Sequence, residues 1–259
     1  MVDACEHEQS SLLRQYVLSR RSELEGFADV EASAAGPRSI SPFVPCAASR
    51  IPYIIQAARI TPEDVLWDLG CGDGLVLHEA VNRIGCRCVG LDIDAPCIAA
   101  ATKRAEELGV ASRCQWRQCD LTALPQGTLG SSAAELLELD ARGDGAESIV
   151  PTVVLLFLTA TGLVRLAPWL HTEWRSSPRA LRIVTCVEAL DTVQDYSDPA
   201  SLFAETNTLG WPVCRDHARW GVFVVPPFGM DLADWRSSPP PALRLTRAEA
   251  EATQPRLLR

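Results

Sequence analysis

The sequence is short of positive charge and lacks the basic segments that mark targeting leaders or nucleic-acid surfaces. Its 24 Lys and Arg residues face 33 Asp and Glu residues, which gives a formal net charge of −9. This balance argues against a broad nucleic-acid-binding surface, because such surfaces cluster cations against phosphates. The first residues, MVDACEHE, carry acids where a secretory or mitochondrial leader is basic or acid-poor, so we expect no leader.

The sequence also lacks Cys-x-x-Cys pairs, metal-ligand spacings among its four histidines, and long apolar runs. We therefore predict no metal site, and we expect the ten cysteines to be free thiols in a reduced, cytoplasmic protein. The longest apolar stretch, residues 149–164, contains Pro151 and Gly162 and is shorter than the roughly 18 residues that suggest a spanning helix. No membrane span is predicted.

A chain of 259 residues with 47% hydrophobic residues can bury one sizeable core. We predict an N-terminal helical extension over residues 1–40, a main domain over residues 41–235 and a mobile, proline-rich tail over residues 236–259. Residues 124–148 are rich in Gly, Ser and Ala and exceed a typical connection in length. We expect them to form a surface insertion in the main domain.

Short apolar runs alternate with amphipathic segments along the main domain. The predicted strands cover residues 64–69, 86–91, 114–119, 153–158, 181–187 and 220–225. Helical patterns over residues 75–84 and after Asp94 separate the first three strands. This order predicts an α/β fold with a doubly wound, mostly parallel sheet and helices on both of its faces.

A glycine-rich turn follows the first predicted strand, where residues 68–74 read DLGCGDG. Glycines permit a tight turn and close approach of a ligand, and a helix N-terminus offers unpaired N–H groups. The dinucleotide fingerprint is G-x-G-x-x-G, whereas the third glycine here comes one residue earlier, which points away from NAD. The acid at Asp68 is poorly placed for a pyrophosphate but accepts a hydrogen bond from a ligand ammonium group.

Residues 68–74 resemble the first motif of class I S-adenosylmethionine-dependent methyltransferases, which reads acid-x-Gly-x-Gly-x-Gly. The resemblance implies S-adenosylmethionine as cofactor and a Rossmann-like sheet of seven strands. Residues 90–94 (GLDID) resemble the second motif, whose acid takes both ribose hydroxyls while the next residue packs against adenine. Residues 119–121 (CDL) resemble the third motif, whose acid accepts from the adenine amino group. The implied cofactor-binding residues are Asp68, Gly70, Gly72, Gly74, Asp92, Ile93, Asp120 and Leu121.

A narrower resemblance involves residues 41–45 (SPFVP), shortly before the first strand. Together with the motifs above, they are similar to the protein-lysine methyltransferases of the ATP synthase c-subunit and the adenine nucleotide translocase. This similarity implies N-methylation of a protein lysine, although Leu75 stands where that group commonly has Arg. A small-molecule methyltransferase and an inactive cofactor-binding partner subunit remain alternatives, and residues 43–45 also fit an apolar plug with a proline turn.

The sequence identifies no catalytic residue. Methyl transfer to a neutral nucleophile is an in-line displacement, in which alignment and desolvation supply much of the acceleration. In this fold the acceptor approaches the end of the fourth strand, so we expect Phe157, Leu158 and Thr159 on the acceptor side. Residues 225–228 (VPPF) lack the preceding amide or acid of base-modifying methyltransferases, and we interpret them as a strand end with a proline turn.

Overall fold

The computed structural model describes residues 39–130, 133–139, 149–193 and 208–238. The chain falls into two compact units, residues 1–38 with 43–45 and residues 39–42 with 46–259, and the second unit is described below. The predicted N-terminal extension lies outside the described residues except for residues 39 and 40. The predicted tail lies outside them beyond residue 238.

Six strands form one sheet in the order β3-β2-β1-β4-β5-β6. Their bounds are Val65–Leu69 (β1), Arg87–Asp92 (β2), Cys114–Gln118 (β3), Val153–Leu156 (β4), Arg182–Cys186 (β5) and Val222–Val225 (β6). The first five are parallel, and β6 pairs with β5 in the antiparallel direction. The predicted Rossmann-like, doubly wound α/β fold is confirmed, but the expected seventh strand is absent from the described ranges.

The α-helices flank this sheet. Their bounds are Ile51–Ala58 (α1), Leu75–Ile84 (α2), Ala95–Glu107 (α3), Ala133–Leu136 (α4), Ala160–Ser176 (α5) and Leu232–Ser237 (α6). Buried side chains of α1, α2 and α3 join one core cluster, and those of α5 join a second cluster. Helix α6 ends at Ser237, so regular structure continues slightly past the predicted start of the tail at residue 236.

Strand β1 is buried along its whole length, as expected for the centre of a parallel sheet. Trp67 and Leu69 face the α5 cluster, whereas Leu66 faces the cluster with α1 and α2. At its amino end the buried Thr152 hydroxyl donates to Asp64 at 2.6 Å and accepts from the Val65 amide at 3.0 Å. These contacts connect β1 to β4 at the edge opposite the glycine turn.

The described parts of residues 124–148 contribute to the core. Thr128 and Leu129 are completely buried, and Leu137 and Leu139 are almost completely buried. The Glu173 carboxylate on α5 accepts from the amides of Gly127 at 2.6 Å and Leu129 at 2.7 Å. Scattered leucines thus anchor a stretch that we expected on the surface from its composition, while its assignment as an insertion stays a prediction.

Candidate cofactor site at the carboxyl edge of the sheet

The glycine turn lies at the carboxyl end of β1, where it leads into α2. Gly70, Gly72 and Gly74 have φ values of 93°, 52° and 73°. Side chains rarely adopt this left-handed region, so the conformation explains why glycines occupy all three positions. The amides of Gly70 and Cys71 both donate to the Leu91 carbonyl, at 2.8 and 3.0 Å, which folds the turn against β2.

Asp92 closes β2 and connects it to the glycine turn. One carboxylate oxygen of Asp92 accepts from the Gly72 amide at 2.8 Å, and the other accepts from the Asp94 amide at 2.9 Å. A carboxylate oxygen has two lone pairs, so each oxygen retains acceptor capacity for a hydroxyl donor. The structure therefore brings the first two sequence motifs together and places a partly exposed carboxylate beside the turn.

Asp68 has an unusual environment for a carboxyl group. It is buried beneath the turn, and its Oδ1 has no hydrogen-bond partner within the described residues. Burial, and to a smaller extent the neighbouring charges of Asp92 and Asp73, together raise the pKa of Asp68 from 3.8 to about 8. A cationic hydrogen-bond donor from a ligand would satisfy this oxygen and compensate its charge.

The third motif lies one strand further along the same edge. Asp120 follows β3 and caps a 3-10 turn, Leu121–Ala123, by accepting from the amide and hydroxyl of Thr122 at 2.8 and 2.7 Å. Leu121 is buried, and Ile93 is partly buried, with its carbonyl accepting from Gln118 at 3.0 Å. Asp120 and Asp92 thus follow neighbouring strands at the carboxyl edge of the sheet.

Trp116 on β3 is a structural determinant that the sequence motifs did not reveal. A Cβ at Gly90 would lie 2.5 Å from the Trp116 ring, and a Cβ at Gly74 would collide with the same ring. The indole also meets the buried His78 ring edge-on, with centroids 5.1 Å apart. The Trp116 indole therefore leaves no room for a side chain at position 90. At position 74 it adds a second reason for glycine, beside the positive φ.

The three predicted acceptor-side residues follow β4. Phe157 is partly buried, Leu158 is buried and Thr159 is exposed at the N-cap of α5. A Cβ at Gly70 would lie 2.8 Å from Leu158, so the glycine turn and the end of β4 are in close contact. The Thr159 amide donates to the Ser41 hydroxyl at 3.1 Å, which connects this edge to the segment before α1.

Comparison with known proteins finds a family that matches the part of the chain containing this arrangement. A family described as "Methyltransferase domain" matches residues 66–134, the range that contains all three motifs. Within the matched residues, the glycine turn, Asp92 and Asp120 occupy successive strand ends at one edge.

Two curated proteins are similar to part of this chain. A protein-lysine N-methyltransferase of Saccharolobus islandicus is 30% identical over 73 residues, covering 28% of this chain and 45% of that protein. A geranyl diphosphate 2-C-methyltransferase of Streptomyces lasalocidi is 33% identical over 75 residues, covering 28% of this chain and 25% of that protein. The chain therefore spans less than half the length of either curated relative.

Two solved structures match parts of this chain at low identity. An RNA methyltransferase from Salinibacter ruber in complex with S-adenosyl-L-homocysteine is 21% identical, with a TM-score of 0.48, and the match covers 78% of this chain and all of that one. A geranyl diphosphate C-methyltransferase from Streptomyces coelicolor A3(2) is also 21% identical, with a TM-score of 0.39, over 53% of this chain and 44% of that one.

The described residues add two observations. Across the described ranges, no group of three or more His, Cys, Asp or Glu residues is placed to hold a metal ion. None of the helices that the structure describes is both long and apolar enough to cross a membrane.

Proposed function

We propose that the protein is a methyltransferase that uses S-adenosylmethionine. The contact between the Asp92 carboxylate and the Gly72 amide carries this proposal, because it joins the glycine turn and the second acid into one site. The glycine turn would hold the methionine part, Asp92 the ribose hydroxyls and Asp120 the adenine amino group, with Ile93 and Leu121 beside the base. The buried, unpartnered Asp68 oxygen fits the ammonium group of the same cofactor.

The cofactor supplies a methyl group on a sulfonium sulfur, and the chain supplies position and a dry environment. Asp92 and the turn would fix the ribose and the methionine part, so that the methyl group points towards the end of β4. Phe157 and Leu158 would exclude water there, since both are at least partly buried at that edge. Alignment of this kind accelerates an in-line displacement without a dedicated acid or base.

The acceptor that we propose is a protein lysine side chain. The segment at residues 41–45 and the partial similarity to a protein-lysine methyltransferase support this choice. A small-molecule acceptor is the second candidate, supported by the similarity to a geranyl diphosphate methyltransferase over a segment of comparable length. An inactive cofactor-binding partner subunit is the third.

We also propose a cytoplasmic location. Nine cysteines of the described ranges are free, and eight of them are buried, which suits a reducing compartment. The net charge of −9 supports a protein or small-molecule acceptor in preference to a nucleic acid.

Methyl transfer from radiolabelled S-adenosylmethionine tests the proposed activity and its acceptor together. The purified full chain is incubated with a protein lysate or with a small-molecule extract of the same cells. Label in a protein band, recovered as methyl-lysine, supports the first candidate, and label confined to the extract supports the second. Cofactor binding without labelling of either sample indicates the inactive partner subunit, whereas absence of both binding and labelling contradicts the proposal.

A further inference from the structure

The backbone bends sharply where the chain leaves β5. Val187, the first residue after that strand, has a φ of 73° and is the one β-branched residue of the described ranges in the left-handed region. This conformation is strained for a β-branched residue, and such strain is concentrated at active and binding sites. The Val187 amide donates to the Gly221 carbonyl at 2.7 Å, and the Thr185 hydroxyl donates to the Glu188 carbonyl at 2.6 Å. Contacts on both sides of the bend therefore fix the backbone at Glu188.

Glu188 lies at the edge of the sheet that carries the candidate cofactor site. Strands β4 and β5 are parallel neighbours, and Leu156 pairs with Thr185 at their carboxyl ends. Phe157, which we expect on the acceptor side, follows Leu156 directly. Glu188 comes three residues after Thr185, so the two segments leave the same edge beside each other. Ligands of open parallel sheets bind outside the carboxyl ends of the strands, which makes Glu188 a candidate for contact with the acceptor.

The Glu188 carboxylate has no partner of its own. Its side chain is partly buried, and within the described ranges it accepts no hydrogen bond and joins no ion pair. Burial alone raises the pKa of Glu188. The Arg50 guanidinium contacts the Phe157 ring at 5.5 Å and donates to the Trp220 carbonyl at 3.0 Å, but it does not compensate Glu188. An acid that loses hydration without gaining a counterion is suited to a cationic ligand.

We propose that Glu188 binds the ammonium group of an amine acceptor and thereby selects amines over anionic acceptors. A lysine side chain, with an ordinary pKa of about 10.4, arrives at neutral pH as an ammonium ion. The Glu188 carboxylate attracts this ion and repels a diphosphate. It also accepts the proton that the nitrogen must release before its lone pair attacks, and passes that proton to water. This inference rests on the proposed function and adds a group within the site that favours a lysine over a geranyl diphosphate.

The test compares two cofactor analogues that differ in charge where the acceptor would lie. Both carry a tertiary amine nitrogen in place of the sulfonium sulfur of S-adenosylmethionine. An aminopropyl arm replaces the methyl group in one analogue, and a butyl arm with the same number of heavy atoms replaces it in the other. Dissociation constants of both analogues and of S-adenosylhomocysteine are measured by calorimetry for the full chain and for Glu188→Gln, Glu188→Asp and the control Glu106→Gln. Glu106 is exposed on α3, which packs against β2 and β3, so its variant reports the general effect of losing one negative charge.

We expect the wild type to bind the aminopropyl analogue about tenfold more tightly than the butyl analogue, the scale of one hydrogen bond to a charged group. Glu188→Gln should remove most of this preference and leave the affinity for the butyl analogue nearly unchanged. Glu188→Asp should retain part of the preference, and Glu106→Gln should retain all of it. A wild type that binds S-adenosylhomocysteine but shows no such preference, or a preference that Glu188→Gln leaves intact, would overturn the assignment of Glu188. Failure of the wild type to bind S-adenosylhomocysteine would instead overturn the proposed function.

Discussion

Replacing Asp68 with Asn tests whether burial of this carboxyl group lowers the free energy of unfolding of the ligand-free protein. The folded chain raises the pKa of Asp68 from 3.8 to about 8, first by burial and then by the charges of Asp92 and Asp73. Between these pH values the unfolded chain ionises this group and the folded chain keeps it protonated. The folded state thus binds more protons, so the free energy of unfolding falls as the pH rises from about 4 to about 8.

The size of this effect follows from the pKa difference. At 1.36 kcal/mol for each pH unit, the full loss reaches at most roughly 6 kcal/mol above pH 8. Asn has a similar shape and remains neutral at every pH. Asp68→Asn should therefore match the wild type near pH 4 and exceed it by several kcal/mol near pH 8.

Urea unfolding of the ligand-free protein at pH 4.5, 6 and 8 measures this difference. Asp73→Asn is the matched control, because it removes the last of the three causes and should produce a smaller gain in the same direction. A difference between Asp68→Asn and the wild type that stays constant across the three pH values would refute the reasoning. Asp68→Asn should also bind S-adenosylmethionine more weakly, since a neutral amide accepts a hydrogen bond from the ammonium group but lacks the charge that strengthens it.

Three further substitutions examine packing and polar contacts. Gly90→Ala should lower the free energy of unfolding in urea by about 1–3 kcal/mol, because its Cβ would stand 2.5 Å from the Trp116 ring. The loss should be smaller in a Trp116→Leu background. An equal loss in both backgrounds would contradict this explanation. Thr152→Val should lower the free energy of unfolding by about 1–3 kcal/mol, since it removes two buried hydrogen bonds to Asp64 and Val65. Glu173→Gln should lower the melting temperature, because one amide oxygen replaces two oxygens that accept from separate backbone amides; an unchanged value would show that these bonds contribute nothing.

The sheet could be predicted from the sequence because each strand is a short apolar run that must be buried. All six predicted strands are present, and their ends differ from the predicted bounds by at most two residues. The turn at residues 68–74 could also be predicted, since three glycines in close succession have few structural explanations other than positive φ. Local composition and spacing therefore locate the site along the chain.

Contacts between distant segments could not be predicted in the same way. Trp116 meets two glycines that lie 42 and 26 positions earlier, and a tryptophan in a strand gives no local sign of this. Arg50 adjoins Phe157 and Trp220, so its environment exists only after β4 and β6 have assembled. Leu129 was assigned to a surface segment because one leucine among small polar residues shows no periodicity, yet the folded chain buries it completely.

Titration of the purified full chain with S-adenosylmethionine tests the proposed cofactor site most directly. Calorimetry should show one molecule bound per chain, with about 10- to 150-fold weaker binding in Asp92→Ala, which corresponds to 1.5–3 kcal/mol for hydrogen bonds to a charged group. Asp92→Asn should retain the fold and should weaken S-adenosylmethionine binding nearly as much as Asp92→Ala does. No saturable binding by the wild type, or an affinity that both Asp92 variants leave unchanged, would contradict the placement of the cofactor at this edge of the sheet.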